Sequence, residues 1–440
     1  MKFASLAGNR VAVWGSGTEG AAVLDSLAFD NEVTLVVDDP TARSAIELAA
    51  VHGIRIARVD ELATMTVDVV VKSPGVPLRR PEIVDLKARG VRITSLLDLW
   101  LEAPRADLVV GVTGTKGKST TAMLIADLVR ASGRDVELAG NIGRPVSQID
   151  GCNVAVIEVS SYQAADLTHS PHVGVLTNLG EDHLPWHGSV EAYQSDKLRL
   201  FAHRELAHLV VGPGLRSRFL ERADLVVLQP DRDGYHADGG ALWNGPSMIA
   251  DLHGTALEPD HLASNLALAA TCAAVVVAEG LAAEAVASTV RDFERPPGRL
   301  EPVPSSDGVE WVNDSLASNP FAAAAGIVTY RRRPLIAIVG GGDRGVDATL
   351  LVDALVRHGN IRAIVCIGEA GVRWHTRFEE VGLTVHVIEL DDIAAAVRVA
   401  AAVARSGDVV LFSPGAPTAP SVGTWETRSR AFRSAVAADR

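Results

Sequence analysis

The sequence predicts an α/β protein of three domains: a Rossmann-like N-terminal domain, a central α/β domain built on a phosphate loop, and a Rossmann-like C-terminal domain. Three observations predict it. Short apolar runs rich in Val and Ile alternate with Ala/Leu-rich stretches along the whole chain, the pattern of buried parallel strands joined by helices. Glycine-rich turns follow apolar strands at 15–20 and 111–120, the strand ends where such sheets receive ligands. Finally, 440 residues are too many for one ordinary core, so two or three domains are expected.

Residues 1–103 form the first block. RVAVWG, VTLVVDD and VDVVVKSPG read as strands, and SLLDLWLEAPRA is a helix closed by its proline. Residues 104–298 form the second, with strands in DLVVGVTG, VAVIEVSS, VGVLTNLG and HLVVGPG and a long helix in SNLALAATCAAVVVAEG. The proline-rich segment RDFERPPGRLEP leads into the third block, 299–440, where VEWVND, PLIAIVGGG, IRAIVCIG, LTVHVIEL and DVVLFSPG are the expected strands. No repeat of fixed period and no low-complexity segment interrupts this order.

Composition excludes several classes of function. With 54 acidic against 41 basic residues and a formal charge of −13, the chain lacks the basic face that sequence-independent nucleic-acid binding requires. Three scattered cysteines (Cys152, Cys272, Cys366) make neither a disulfide framework nor a zinc-ligand spacing. They read as small buried hydrophobes in a reducing compartment. The start of the chain shows no apolar signal region. The most apolar stretch, Leu266–Glu279, is shorter than a bilayer span. A cytoplasmic protein with neither nucleic-acid nor membrane partners is expected.

The strongest chemical signal is GVTGTKGKST at 111–120. It departs from the G-x-x-x-x-G-K-[ST] spacing at one place, Val112 standing where a glycine belongs, but it lies between a strand and a helix as that loop requires. Gly114 and Gly117 would let backbone N–H groups approach phosphate oxygens at a helix N-terminus. Lys118 would reach the β- and γ-phosphates, and Ser119 or Thr120 would offer a hydroxyl to Mg²⁺. The turn GSGTEG, followed by Asp38 after the next strand, carries the dinucleotide fingerprint. Its glycines report only close approach to a diphosphate, so a nicotinamide dinucleotide, another nucleotide diphosphate and a purely structural turn all remain open. Glu158 and His183 end strands of the central domain. They suit a magnesium ligand and a metal ligand or acid/base respectively, or else an ordinary surface carboxylate and a capping histidine. Lys197, in YQSDKLRLF, reads as a solvated charge on an amphipathic helix. Three polar loops, 312–320, 339–347 and 411–417, follow strands of the third block and suggest a binding rim.

Taken in order, these features resemble the Mur ligases, the ATP-dependent amide-forming enzymes of peptidoglycan precursor synthesis, and within them the MurD-type group that adds glutamate to UDP-N-acetylmuramoyl-L-alanine. The resemblance spans the chain and rests on GTKGKST, on EDH with the later DKLR, and on the linker arginine of PPGRLE. It implies a UDP-binding first domain, an ATP-binding second and an amino-acid-binding third. It implies ATP contacts by Gly114, Thr115, Lys116, Gly117, Lys118, Ser119, Thr120, Asn265, Arg299 and Asp314. Thr18, Asp38, Gly75 and Asn141 match positions on the UDP-linked substrate, and Arg344 and Ser413 match positions that hold glutamate carboxylates. Catalysis falls to Lys118, His183 and Lys197. Ser119, Glu158, His183 and Lys197, the last as a carbamate, would hold two Mg²⁺ ions. The implied partners are UDP-N-acetylmuramoyl-L-alanine, glutamate and ATP, acting on a monomer.

Departures from the family pattern gather on the glutamate side. NDSLASN carries Leu316 where a lysine is usual, and SPGAPTAPSVGTWETRSRAF replaces the usual SPA segment, with Arg428 followed by Ser429. Beside His261, Leu262 stands where an asparagine is usual. These loops and WGSGTEG look more like the branch that adds L-glutamate; D-glutamate addition is the alternative, and another Mur enzyme or a polyglutamate-type ligase is a further one. An oxidoreductase would leave GTKGKST unexplained, and a regulatory ATPase would release phosphate without an acceptor.

Overall fold

The computed structural model describes residues 3–27, 31–142, 144–295, 297–306, 308–343, 347–390, 392–419 and 421–438. The chain separates into two compact units, 1–293 and 294–440. The division falls inside the proline-rich segment.

The first unit carries two parallel sheets. The N-terminal sheet has β1 (Arg10–Trp14), β2 (Glu32–Val37), β3 (Arg55–Arg58), β4 (Val69–Lys72) and β5 (Arg92–Thr94), in the order β3-β2-β1-β4-β5. The order reverses between β1 and β4, and such a switch point opens a crevice at the strand ends. Its central strands β1 and β4 are buried on both faces, as parallel strands covered by helices must be. The short strands β3 and β5 escape the sequence pattern because each has only three or four residues, two of them polar.

The second sheet has β6 (Ala106–Thr113), β7 (Val136–Gly140), β8 (Cys152–Glu158), β9 (Val173–Leu176), β10 (His208–Val211) and β11 (Val226–Leu228), in the order β11-β10-β9-β6-β8-β7. β6 lies between β8 and β9, so the loop leaving it is flanked by the ends of both. A further element departs from the parallel pattern: β12 (Tyr235–Asp238), β13 (Ala241–Asn244) and β14 (Ser247–Asp251) form an antiparallel three-stranded sheet. The long expected helix spans Asp260–Val277, four residues earlier than its apolar run, with Pro259 at its N-cap. Its length and composition would allow a membrane crossing. Its Leu262, Leu266, Ala269, Cys272 and Val276 are nevertheless buried in the same core cluster as the phosphate-loop helix Lys118–Ala131.

The second unit holds one sheet: β15 (Glu301–Val303), β16 (Glu310–Asn313), β17 (Leu335–Gly340), β18 (Ile361–Ile367), β19 (Val385–Ile388) and β20 (Val409–Gly415), in the order β15-β16-β20-β17-β18-β19. All pairings are parallel except that of the edge strand β15. β16, β20 and β17 are neighbours, so the three polar loops singled out in the sequence leave one end of one sheet side by side.

Candidate active site

The phosphate loop leaves β6 at the centre of its sheet. Val112, the residue that departs from the usual spacing, is fully buried within β6, in register with Glu158 on one side and Val175 on the other. The turn therefore begins at Gly114, and that position requires glycine. Its φ is +152°, and a Cβ there would collide with the hydroxyl of Thr177. Gly117 (φ +81°) is the N-cap of the Lys118–Ala131 helix, and a Cβ would lie 2.8 Å from Asn265 Oδ1. Asn265, 148 residues away in sequence, thus stands against the phosphate loop.

The loop is fastened from the end of β9. Asn178 Oδ1 accepts from the Lys116 N–H at 2.9 Å, and Asn178 Nδ2 donates back to the Lys116 carbonyl at 2.9 Å. Thr115 Oγ1 accepts from the Gly180 N–H and meets Tyr193 Oη at 3.0 Å. The Lys118 ammonium lies over the turn, donating to the carbonyls of Gly114 and Thr115 at 3.1 and 3.3 Å. Ser119 and Thr120 are buried in the first helical turn. The N-terminus of the Lys118–Ala131 helix, which no side chain caps, leaves its first-turn N–H groups as a ready anion site.

Lys197 corrects the sequence reading. Its side chain is not on a solvated face: the residue is 1% exposed. Its Nζ donates to the Gly114 carbonyl at 2.9 Å and approaches Thr113 Oγ1 at 3.4 Å. Burial, reinforced by the positive charge of Lys118, pushes its pKa well below the usual lysine value, against the attraction of Asp182 and Glu158. Those conditions disfavour the charged ammonium relative to an ordinary lysine.

Glu158 ends β8 at 0% exposure. Asn141 donates to its Oε1 at 2.8 Å, and the Asn141 N–H donates to its carbonyl at 2.8 Å. Its Oε2 is buried with no hydrogen-bond partner among the described residues. A buried carboxylate oxygen left bare is costly unless a cation completes it, so Glu158 fits a hard divalent ion. His183 sits in the left-handed region (φ 52°) at the start of the Leu184–His187 turn, its side chain 43% exposed. Burial lowers its pKa ahead of the opposing pull of Asp182, and Lys118 and Lys116 lower it further, which favours the neutral ring that binds metals. Among the described residues no three His, Cys, Asp or Glu side chains cluster as a self-sufficient metal cage. The donor set suits an ion completed by phosphate oxygens, as is usual for Mg²⁺.

The crevice of the N-terminal sheet has a different character. Gly15 (φ +119°) and Gly20 are required by close packing: a Cβ on either would collide with Ser73 or with the Gly15 carbonyl. Gly17, between them, faces open space. Thr18 opens the helix Thr18–Ser26, Asp38 pairs with Arg80 at 3.0 Å, and the Gly75 carbonyl accepts from Trp186 Nε1 at 3.0 Å. Sequence reasoning missed what lies beneath. Lys72 and Asp166 form a fully buried ion pair between this sheet and the segment after β8. Glu19 accepts from Gln163 Nε2 at 2.6 Å nearby.

In the second unit Asp314 and Ser413 meet directly, Ser413 Oγ donating to Asp314 Oδ2 at 2.6 Å, and the Leu300 N–H donates to Asp314 Oδ1 at 3.2 Å. Arg299 precedes Leu300 in this half-buried turn. Arg428 is fully buried and donates to the carbonyls of Ala416 and Ser315 at 3.0 and 2.6 Å. It thereby ties the SPG loop to the NDS loop. Arg344 lies outside the described residues.

A phosphate loop at the centre of a parallel sheet, with a buried lysine bonded to its turn and a buried carboxylate at the end of the neighbouring strand, defines an α/β enzyme that works on a nucleoside triphosphate. Comparison with known proteins narrows the class. Residues 112–213 match the Mur ligase middle domain and residues 298–415 the glutamate ligase domain of Mur ligases. A UDP-N-acetylmuramoyl-L-alanine–L-glutamate ligase of a Micromonospora species is 36% identical over 99% of this chain and 98% of its own length. A protein of the same name from Salinispora tropica is 37% identical over 99% of both. Among solved structures, the Thermotoga maritima UDP-N-acetylmuramate–alanine ligase superposes with a TM-score of 0.58 over 98% of this chain and all of its own, at 17% identity. The ADP-bound MurF ligase of that organism gives 0.59 over 100% and 97%, at 18% identity, a likeness of fold. The chain belongs to the Mur ligase family. It is an ATP-dependent amide ligase of peptidoglycan synthesis.

Proposed function

We propose that this ligase joins L-glutamate to UDP-N-acetylmuramoyl-L-alanine, consuming ATP and releasing ADP and phosphate. The observation that carries the substrates is the end-to-end similarity to proteins named for that reaction, together with the altered Leu316 and SPG loops on the amino-acid side. In this reading residues 1–103 take the UDP moiety through Thr18, Asp38 and Gly75, residues 104–298 take ATP, and residues 299–440 take glutamate through Arg344 and Ser413. Asn265, Arg299 and Asp314 complete the nucleotide contacts. The cytoplasm is the proposed compartment, in keeping with the free thiols of Cys152, Cys272 and Cys366.

The chemistry follows from the need to activate a poor electrophile. An oxygen of the substrate's alanyl carboxylate attacks the γ-phosphorus and the bond to the β-phosphate oxygen breaks. This leaves an acyl phosphate and ADP. The glutamate amine then adds to the acyl carbon, loses a proton and expels inorganic phosphate. Lys118 and the backbone N–H groups of the loop stabilise the charge that develops on the transferred phosphoryl group. Ser119, Glu158, His183 and a carbamylated Lys197 would hold two Mg²⁺ ions, which supply charge neutralisation at the phosphates when bound. The carbamate forms when the neutral Lys197 amine adds to the carbon of CO₂ and loses one proton, turning a buried base into a buried anion.

The test uses the purified protein with UDP-N-acetylmuramoyl-L-alanine, ATP and either glutamate isomer, the product identified by mass and chirality. Preference for L-glutamate is expected. Preference for D-glutamate would leave the ligase reading standing and overturn the isomer.

A further inference from the structure

Three segments bring Glu158, His183 and Lys197 to the phosphate loop, and one buried ring joins all three. His187, at 0% exposure, closes the short Leu184–His187 turn that His183 opens, and its backbone N–H donates to the His183 carbonyl at 3.1 Å. Its Nδ1 meets Asp196 Oδ2 at 2.7 Å, and Asp196 immediately precedes Lys197 on the helix Val190–Leu198. Its Nε2 meets Ser161 Oγ at 3.0 Å, and Ser161 opens the helix three residues beyond Glu158. Tyr162 stacks on the ring at 5.6 Å and Tyr193 meets it edge-on at 5.1 Å. Tyr193 in turn reaches Thr115 of the phosphate loop.

A carboxylate oxygen only accepts, so Nδ1 donates to Asp196, while Nε2 and the Ser161 hydroxyl can each donate or accept and hold one another in either arrangement. The Ser–His–Asp order invites comparison with a nucleophilic triad, but Ser161 is buried and its hydroxyl is occupied by the ring. No substrate carbonyl could reach it. An imidazole held at both ring nitrogens by fixed partners acts instead as a spacer of set length.

We propose that His187 is the positioning residue of the metal-binding group, setting the separation of Glu158, His183 and Lys197 through Ser161, its own turn and Asp196. The inference rests on the assignment of those three residues to Mg²⁺. Groups that orient metal ligands are worth about 10–100-fold in metal affinity or activity, and that is the expected size.

The test compares full-length wild type, His187→Phe, Asp196→Asn and Glu158→Gln. Phenylalanine keeps the aromatic packing and removes both hydrogen bonds; Asp196→Asn, at a partly exposed carboxylate, keeps the shape and covers the case in which His187→Phe does not fold. Two readouts are taken: Mn²⁺ binding to the ADP-loaded protein by electron paramagnetic resonance, and the Mg²⁺ dependence of kcat set against KM for the UDP-linked substrate. The expected result is Mn²⁺ affinity and kcat reduced roughly 10-fold or more in His187→Phe and several-fold in Asp196→Asn, with KM for the UDP-linked substrate unchanged. Wild-type Mn²⁺ affinity in either folded variant, while Glu158→Gln loses it, would overturn the positioning role alone. Wild-type Mn²⁺ affinity in Glu158→Gln would overturn the metal assignment itself.

Discussion

Two turns of the first unit use the same local device with different results. Both GSGTEG and GTKGK follow the first strand of a parallel sheet and open a helix, and both need glycine at the strand end, where Gly15 and Gly114 have positive φ. They part at the next glycine. Gly17 faces open space, whereas Gly117 is packed against Asn265. Around the first turn the charges are an exposed Asp38–Arg80 pair; around the second, Lys118 and the buried Lys197 point at backbone carbonyls of the turn. A strand–glycine–helix turn therefore specifies only an approach for a phosphate. What the phosphate undergoes is set by side chains delivered from elsewhere in the sheet.

The largest break in this contrast should come from Lys118→Ala. Loss of the cation at the transferring phosphoryl should cost about 10²–10³-fold in kcat, read as ADP release with all substrates present; near-normal turnover would remove the second turn from the chemistry. Next in size is Lys197→Ala. If a carbamate is the working species, activity should fall by roughly 10²-fold, the scale of a lost ligand-orienting group. Added formate or acetate should restore part of it, and an unaffected variant would return Lys197 to a packing role. The glycines give a paired test of smaller effects. Gly114→Ala should destabilise the fold by about 2–4 kcal/mol through strain and overlap, measured by denaturant unfolding. Gly17→Ala should leave stability within ~0.5 kcal/mol and instead raise KM for the UDP-linked substrate about tenfold, ~1.4 kcal/mol of binding. Equal effects on stability would erase the distinction between the two turns.

The same contrast explains what could be read in advance. The phosphate loop was legible because its requirements lie within ten residues: strand, two glycines, lysine and hydroxyls. The strands of the third block were legible because buried parallel strands are continuous apolar runs. Lys197 was not, since its burial comes from a partner 83 residues away, and the local pattern of YQSDKLRLF is that of a surface helix. The Lys72–Asp166 pair hid for the same reason, each residue bearing an ordinary charge until two segments 94 positions apart close over them. The β12–β14 sheet was missed because its strands are short and half polar. Glu158 and His183 were legible as candidate metal ligands from their places at strand ends, and the resemblance implied the same; the bare Oε2 of Glu158 is the sign that geometry adds.

The smallest expected effect concerns that hidden pair, which lies beneath the first turn as Lys197 lies beneath the second. Burial pushes the Asp166 carboxyl up to about 6, outweighing the attraction of Lys72 and its hydrogen bond. The folded state therefore holds a proton on Asp166 that the unfolded chain, near 3.8, has already released. Its contribution to stability is fully present below pH 3.8 and is lost as pH rises through about 6. Set against Asp166→Asn, which cannot ionise, wild type should be relatively most stable at the acid end of this window. The difference should shrink by something on the order of 1 kcal/mol toward neutrality, measured by urea unfolding at steps between pH 4 and 7. If the difference instead widens with pH, the attraction of Lys72 exceeds the cost of burying the charge. Burial would then lower a lysine's charge at the second turn while sustaining an ion pair at the first.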